Sequence, residues 1–253
     1  MSAITVISST QNDFVKMVRS LHEKKGRMEH QAFLVEGEKC VRELLEYSPK
    51  IIKTLIVTAG IQMSVEIQAA ARVQNVVTVE PHVMKSLCEC KTPQYVAAVA
   101  ELPMETVIGD GFIVALDDVT DPANVGTIIR TADAAGCAGV LLSSGSADPF
   151  SPKAVRSSMG SLFHLPVIRT DLRGHLAALL QRGYHIACGE LMGSAEFSLN
   201  PDTTCLVIGN ESRGISEEIM ELATVRIRIP IYGKAESLNA AVAAGILMYK
   251  IRT

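Results

Sequence analysis

Residues Leu206 to Tyr249 read LVIGNESRGISEEIMELATVRIRIPIYGKAESLNAAVAAGILMY. The apolar run Cys205-Leu206-Val207-Ile208 has the length and composition of a buried strand. It ends on Gly209-Asn210-Glu211, a small residue followed by an amide and a carboxylate. Ser216, with Glu217 and Glu218 behind it, is a good N-cap for a helix. A second strand, Val225 to Ile229, is closed by Pro230. Past Gly233 the trio Ser237-Leu238-Asn239 precedes a helix of small residues. Two strands thus each end in a polar cluster. In open α/β sheets ligands bind beyond the carboxyl ends of the strands, so this stretch sets both the expected fold class and the expected place of the site.

Upstream the same grammar repeats. Phe112 to Leu116 is a buried strand ending in Asp117-Asp118 and a polar loop, Thr120 to Gly126. A helix is predicted over Thr127 to Ala135, stopped by Gly136. Gly139 to Leu142 is the next strand, and Ser151-Pro152 starts a helix that runs through Met159. Leu162 to Ile168 is read as extended, Leu172 to Gln181 as helical and His185 to Glu190 as a strand. Strands alternating with helices predict a parallel sheet with helices on both faces.

The first hundred or so residues alternate as well. Phe14, Val15, Val18 and Leu21 recur at helical spacing within residues 10–28. The opposite face carries Lys16, Arg19, Lys24, Lys25 and Arg27, which suits either a solvated helix face or a patch for a phosphate backbone. A strand over Ala32 to Gly37, a helix to Tyr47, a strand over Ile51 to Thr58, a helix over Val65 to Val73, a strand over Val76 to Val79, a helix from Pro81 and a strand over Tyr95 to Ala100 complete the unit. Weak periodicity around Pro103, Gly109 and Gly111 marks a linker. The expected boundaries are 1–103, a linker at 104–111, and 112–253.

The chain has 253 residues, 48% hydrophobic and 20% charged, which is the composition of a soluble globular protein. With 4% aromatics and no Trp, its core must be aliphatic. No apolar run is long enough for a membrane span, and no signal peptide is visible. The six Cys lack CxxC spacing, Cys88 and Cys90 included, and no His cluster joins them. Reduced thiols in a cytoplasm and no metal site are therefore expected. A net charge of −3 gives no global pull toward nucleic acid.

Three polar clusters fall at strand ends: Asn124 with Arg130, Asn210-Glu211 with Arg213, and Ser237-Leu238-Asn239. Asn124 is placed just before a helix, where free backbone N–H groups favour an anion. Arg130, one turn in, is expected to face the same pocket. The usual nucleotide motifs are missing. No GxGxxG joins a strand to a helix, and there is no GxxxxGK[ST], HExxH or GxSxG.

These residues resemble the SpoU/TrmH branch of the SPOUT RNA 2′-O-ribose methyltransferases. Three motifs carry the resemblance: Asn124 to Gly136, Leu206 to Ile215, and Ile229-Pro230-Ile231 through Ser237-Leu238-Asn239 to Ala243. Asp148 to Gly160 also looks like the family's segment after its first motif. Phe33-Leu34-Val35-Glu36-Gly37 resembles the substrate-binding domain of rRNA-directed members.

The resemblance implies an α/β fold: a SPOUT parallel sheet with a deep C-terminal trefoil knot, preceded by a small RNA-binding α/β domain. Knots are rare, and nothing in the periodicity predicts one. It implies S-adenosylmethionine as cofactor, held by Leu206, Ile208, Gly209, Asn210, Ile229, Ile231 and Leu238. Gly209 would let the backbone approach the adenosine. The catalytic set implied is Asn124, Arg130, Glu211, Ser237 and Asn239, with the other four positioning the ribose and holding Arg130. The family's matching arginine is proposed as the base. A guanidinium hardly deprotonates at neutral pH, so fixing the adjacent phosphate and lowering the hydroxyl's pKa fits Arg130 better. The proton acceptor stays open. Lys24, Lys25, Arg27 and Arg156 are the expected RNA contacts, rRNA the expected substrate and a homodimer the expected assembly. A tRNA enzyme and a non-catalytic assembly factor with the same fold are the alternatives.

Overall fold

The computed structural model describes residues 6–70, 75–89, 94–103 and 107–253. By its internal contacts the chain forms two units, Met1–Met104 with Phe150–Phe163, and Glu105–Pro149 with His164–Thr253. The first unit opens with β1 (Val6–Ile7). Residues 10–28 do not form one helix. Asn12 caps α1 (Asp13–Ser20) by accepting from the Phe14 N–H at 2.9 Å, and α1 buries Val15 and Val18. The chain then breaks, and α2 spans Lys24–His30. Gly26 permits the close packing of the two: a Cβ there would lie 2.1 Å from the Ser20 carbonyl oxygen.

There follow β2 (Ala32–Glu36), α3 (Glu38–Tyr47), β3 (Ile52–Thr58), α4 (Val65–Ala70), β4 (Val76–Val79), α5 (Pro81–Leu87) and β5 (Val96–Glu101). The end of the helix predicted over Val65 to Val73, and linker residues 104–106, lie outside the described residues. The five strands make a mixed sheet, β1-β4-β3-β5-β2, with β5 antiparallel to both of its neighbours. Val15, Val18, Leu21, Leu34, Ile56 and Leu87 share its core.

The second unit contains β6 (Ile113–Leu116), α6 (Pro122–Ala134) and β7 (Gly139–Leu142). After β7 the chain contributes α7 (Pro152–Ser158) to the first unit. It then adds β8 (Val167–Arg169), α8 (Leu172–Gln181), β9 (His185–Ser194), β10 (Thr204–Ile208), α9 (Glu217–Met220), β11 (Val225–Ile227) and α10 (Ala240–Arg252). The sheet order is β11-β9-β10-β6-β7-β8 and every pairing is parallel. Ile113, Ala115, Leu141, Cys205 and Val207 pack with Leu172, Leu176, Leu179 and Ile219 from α8 and α9. Alternate residues point to the opposite face, where α10 packs on α6, β9 and β10. With both faces covered, β10 is buried along its whole length, which explains an apolar run without alternation.

Several predicted elements differ. Strand β11 ends at Ile227, not Ile229, and β9 runs past Glu190 to Ser194. Helix α6 starts at Pro122, not Thr127, because Asp121 caps it through the Ala123 N–H at 2.9 Å and Pro122 takes an early helical position. The stretch Leu162 to Ile168 is not continuously extended: Ser161–Phe163 form a 3₁₀ turn before β8.

The segment Phe150–Phe163 packs into the first unit through its rings and charges. Phe33 of β2 is fully buried, with the Phe150 ring centroid at 5.0 Å and that of Phe163 at 6.4 Å. Ser151 caps α7 by accepting from the Ala154 N–H.

Candidate functional site

The strand order reverses between β6 and β10: β7 and β8 extend one way, β9 and β11 the other. Such a switch point leaves a crevice at the carboxyl ends of the strands. Here β6 delivers Asp117-Asp118 and β10 delivers Gly209-Asn210-Glu211. Asp118 adopts φ 56°, an uncommon left-handed conformation for a non-glycine residue. It is held by Asn210 Nδ2, which donates to the Asp118 carbonyl at 2.8 Å. Asn210 Oδ1 accepts from the Ser212 and Arg213 N–H groups, and its backbone pairs with that of Gly214. Asn210 therefore shapes the loop. Gly209 has a related reason: a Cβ would lie 2.3 Å from the Gly214 carbonyl carbon, so it is this chain's own backbone that approaches closely.

Asn124, Glu211 and Asn239 form a hydrogen-bonded relay. Asn239 Nδ2 donates to Asn124 Oδ1 at 3.0 Å, and Asn124 Nδ2 donates to Glu211 Oε1 at 2.9 Å. Glu211 also accepts from the Thr120 N–H and hydroxyl and from the Asp121 N–H. Asn239 Oδ1 caps α10 by accepting from the Ala241 and Val242 N–H groups. Burial alone would raise the Glu211 carboxyl. The Asn124 amide and the backbone N–H groups outweigh it and hold the group below its usual value. Glu211 is thus a carboxylate near neutrality and a weak base, fitted to orient donors rather than to take a proton.

Arg130 does not join this relay. It lies exposed on α6, without a hydrogen bond or ion pair among the described residues, and is not held by Asn124, Glu211, Ser237 or Asn239. At 3.6 residues per turn Arg130 sits roughly 120° round the helix axis from Asn124, so the two side chains leave α6 in different directions. Ser216 precedes α9 as predicted, but its side chain makes no capping bond; its N–H donates to Asp117 Oδ2 at 2.7 Å.

A cleft of about 630 Å³ opens beside the relay. Ile208, Gly209, Asn210, Ile229, Ile231 and Leu238 line it, as do Glu211 and Ser237. Leu206 does not line it; it is wholly buried inside β10. Apolar walls of Ile229, Ile231 and Leu238 with polar groups at the rim suit an adenosine-sized ligand carrying charges at one end. One wall went unforeseen. Between Arg226 and Ile227 of β11 the pairing jumps from Cys188 to Ser194 of β9. The residues between bulge out, and Gly189 to Met192 line the cleft. The glycines Gly189 and Gly193 inside a strand were the available signal. Arg228 and Glu236, also unforeseen, line the cleft too.

The expected RNA contacts divide. Lys24 and Lys25 are exposed on α2. Arg27 is not available to a phosphate: it is buried, and Nη1 donates to the carbonyls of Leu21 and His22, both at 2.8 Å. Those carbonyls sit in the break between α1 and α2, and no other donor among the described residues reaches them. Arg156 is half-buried and ion-paired with Glu36 at 3.4 Å and Glu89 at 3.3 Å. Among the described residues no group of three or more His, Cys, Asp or Glu is placed to hold a metal ion, and no helix is long and apolar enough to cross a membrane. Cys90 lies outside the described residues.

Residues 111–249 match the model of the SpoU rRNA Methylase family, and residues 12–98 that of an MRM3-like substrate binding domain. A 23S rRNA (guanosine(2553)-2′-O)-methyltransferase, RlmP of Bacillus subtilis, is 37% identical over 248 residues, covering 97% of this chain and 98% of that protein. The SpoU methyltransferase AviRb of Streptomyces viridochromogenes, solved in complex with the cofactor AdoMet, superposes with a TM-score of 0.85 at 30% identity, covering 96% and 97% of the two chains. An AdoMet-bound rRNA methyltransferase from Sinorhizobium meliloti gives 0.84 at 33% identity, covering 98% and 97%.

Proposed function

The chain belongs to the SpoU rRNA methylase family, and from that premise we propose that it methylates a ribose 2′-hydroxyl of 23S rRNA with S-adenosylmethionine. One observation carries the assignment to this site: the Glu211–Asn124–Asn239 relay stands at the edge of the cleft walled by Ile229, Ile231 and Leu238. The cofactor supplies a methyl group already activated on a sulfonium, so the chain needs only to align the hydroxyl and accept its proton. Ile208, Ile229, Ile231 and Leu238 take the adenine. Asn124 and Asn239, fixed by the ionised Glu211, are rigid amides for orienting the ribose. Ser237 adds a hydroxyl at the same cleft. Arg130 fixes the neighbouring phosphate.

The same reading includes a knot, in which residues 228–239 thread past the loop at 209–215, and a homodimer. Both loops line one cleft. Val242, Ile246 and Tyr249 form an exposed apolar stripe along α10, 51%, 42% and 50% exposed. Arg130, unpartnered among the described residues, lies on the helix that α10 packs against. A second copy seated on this stripe would let Arg130 serve the neighbouring cleft. The matched segments support an RNA-binding domain over 1–103 and a catalytic one over 112–253, working in the cytoplasm with the ribosome. The test is methyl transfer to unmodified 23S rRNA transcript. Arg130→Ala should abolish transfer and keep cofactor binding by calorimetry, and Glu211→Ala should be inactive too. Co-expressing the two variants should restore activity, since mixed dimers hold one intact site. Failure to restore would place Arg130 in its own chain's site; no cofactor binding by the wild type would sink the enzyme assignment.

A further inference from the structure

The loop from Tyr232 to Asn239 is exposed throughout, and it runs along the cleft, which its Glu236, Ser237 and Leu238 line. Tyr232 opens it, directly after the cleft-lining Ile231, and is 95% exposed. Its hydroxyl has no hydrogen-bond partner among the described residues. The chain carries only five Tyr, six Phe and no Trp, and the other large exposed aromatics, Tyr47, Tyr95 and Tyr249, are 50–58% exposed. A ring so bare contributes little to folding; its apolar area stays in water. Two cations lie in the same loop region, Arg228 lining the cleft and the exposed Lys234, neither in an ion pair among the described residues. Glu236 is the one acid on the loop itself. A bare ring between unpaired cations, beside a cleft, is the chemistry of a single-stranded nucleic-acid contact: the ring stacks on a base and the cations meet the flanking phosphates.

Resting on the methyltransferase reading, we propose that Tyr232 is the stacking platform for an unpaired RNA base next to the ribose held in the cleft, with Arg228 and Lys234 receiving the phosphates on either side. A ribose cannot enter the cleft while its nucleotide stays stacked in a helix, and single-stranded RNA is recognised by stacking displaced bases on aromatic side chains. Tyr232 replaces stacking that the substrate gives up.

The experiment compares wild type, Tyr232→Ala and Tyr232→Phe on unmodified 23S rRNA transcript with labelled S-adenosylmethionine. Tyr232→Ala should raise KM for RNA by about tenfold or more, equivalent to about 1.4 kcal/mol, while Tyr232→Phe stays within about twofold of wild type because the ring does the stacking. Both should bind S-adenosylmethionine and sediment as the wild type does. An unchanged KM in Tyr232→Ala overturns the proposal. So does a Phe variant as impaired as the Ala one, since the hydroxyl would then be the contact. Weakened cofactor binding or altered sedimentation overturns it too, by assigning the ring to the cofactor or to a subunit contact. If the wild type transfers no methyl group, the reaction assignment fails by itself. Fluorescence anisotropy of a short labelled single-stranded RNA with the same variants then decides: about tenfold weaker binding by the Ala variant supports the platform, and equal binding removes it.

Discussion

Asn124 satisfies two neighbours at once, accepting from Asn239 and donating to Glu211. It is buried, so both ends of its amide need partners. Glu211 is the relay's charged end, and its depressed pKa makes a stability statement. A carboxylate with a lowered folded pKa contributes stability above its unfolded value, about 4.3, and loses it as pH falls through the lower folded value. Glu211→Gln removes that contribution. The urea midpoints of wild type and variant should differ most near neutrality and converge as pH falls below the usual carboxylate range; a gap that persists unchanged at low pH would show that the charge is not what matters. At this scale the sequence was partly legible. Asn124, Glu211 and Asn239 fall at strand ends in the sequence, and the structure brings the three into one hydrogen-bonded group. Arg27 was not. Helical spacing separates polar from apolar faces, but it does not say whether a cation meets water or a carbonyl left open by a helix break.

Helix α6 shows what element boundaries hide. The run Thr120-Asp121-Pro122-Ala123-Asn124 has turn-like composition, yet Asp121 and Pro122 are equally the start of a helix. The difference matters to the site, for it puts Asn124 in the first helical turn with a fixed direction, and sends Arg130 elsewhere. Asp121→Ala should lower the stability of this unit by about 1 kcal/mol, within the 0.5–2 kcal/mol range of lost N-caps, read as a shift in the urea midpoint. An unaltered midpoint would mean that the helix starts without its cap. Strand β10 was fully legible, since only a central parallel strand needs an unbroken apolar run. The bulge of β9 was not, because the residues from Gly189 to Met192 look like a strand until β11 declines to pair with them.

At the scale of the whole molecule, alternation of strands and helices gave a parallel sheet in the second unit, where the strand order puts the candidate site at the switch point, but not in the first, where β5 runs antiparallel to both neighbours. Division into units was harder to read. Phe150–Phe163 sit between two strands of the second unit in sequence but belong to the first by contact, and such long-range packing leaves no periodic trace. Phe33 is fully buried against Phe150 and Phe163. Glu36, also buried, has Arg156 as its ion-pair partner. A chain ending at residue 103 loses both. The Phe33 ring is returned to water, a loss of about 1.5–3 kcal/mol for a side chain of its class, and the Glu36 carboxylate is left in the protein without its cation, which is destabilising in its own right. Residues 1–103 expressed alone should therefore melt at lower temperature and bind a hydrophobic dye. The same residues joined through a flexible linker to residues 150–163 should recover. Restoration should fail when the added segment carries Phe163→Ala with Phe150→Ala, while the Arg156→Ala version should recover the ring packing but stay sensitive to the unpaired Glu36. If residues 1–103 melt cooperatively at the same temperature with and without the segment, the rings are a passive contact and the first unit is complete without them.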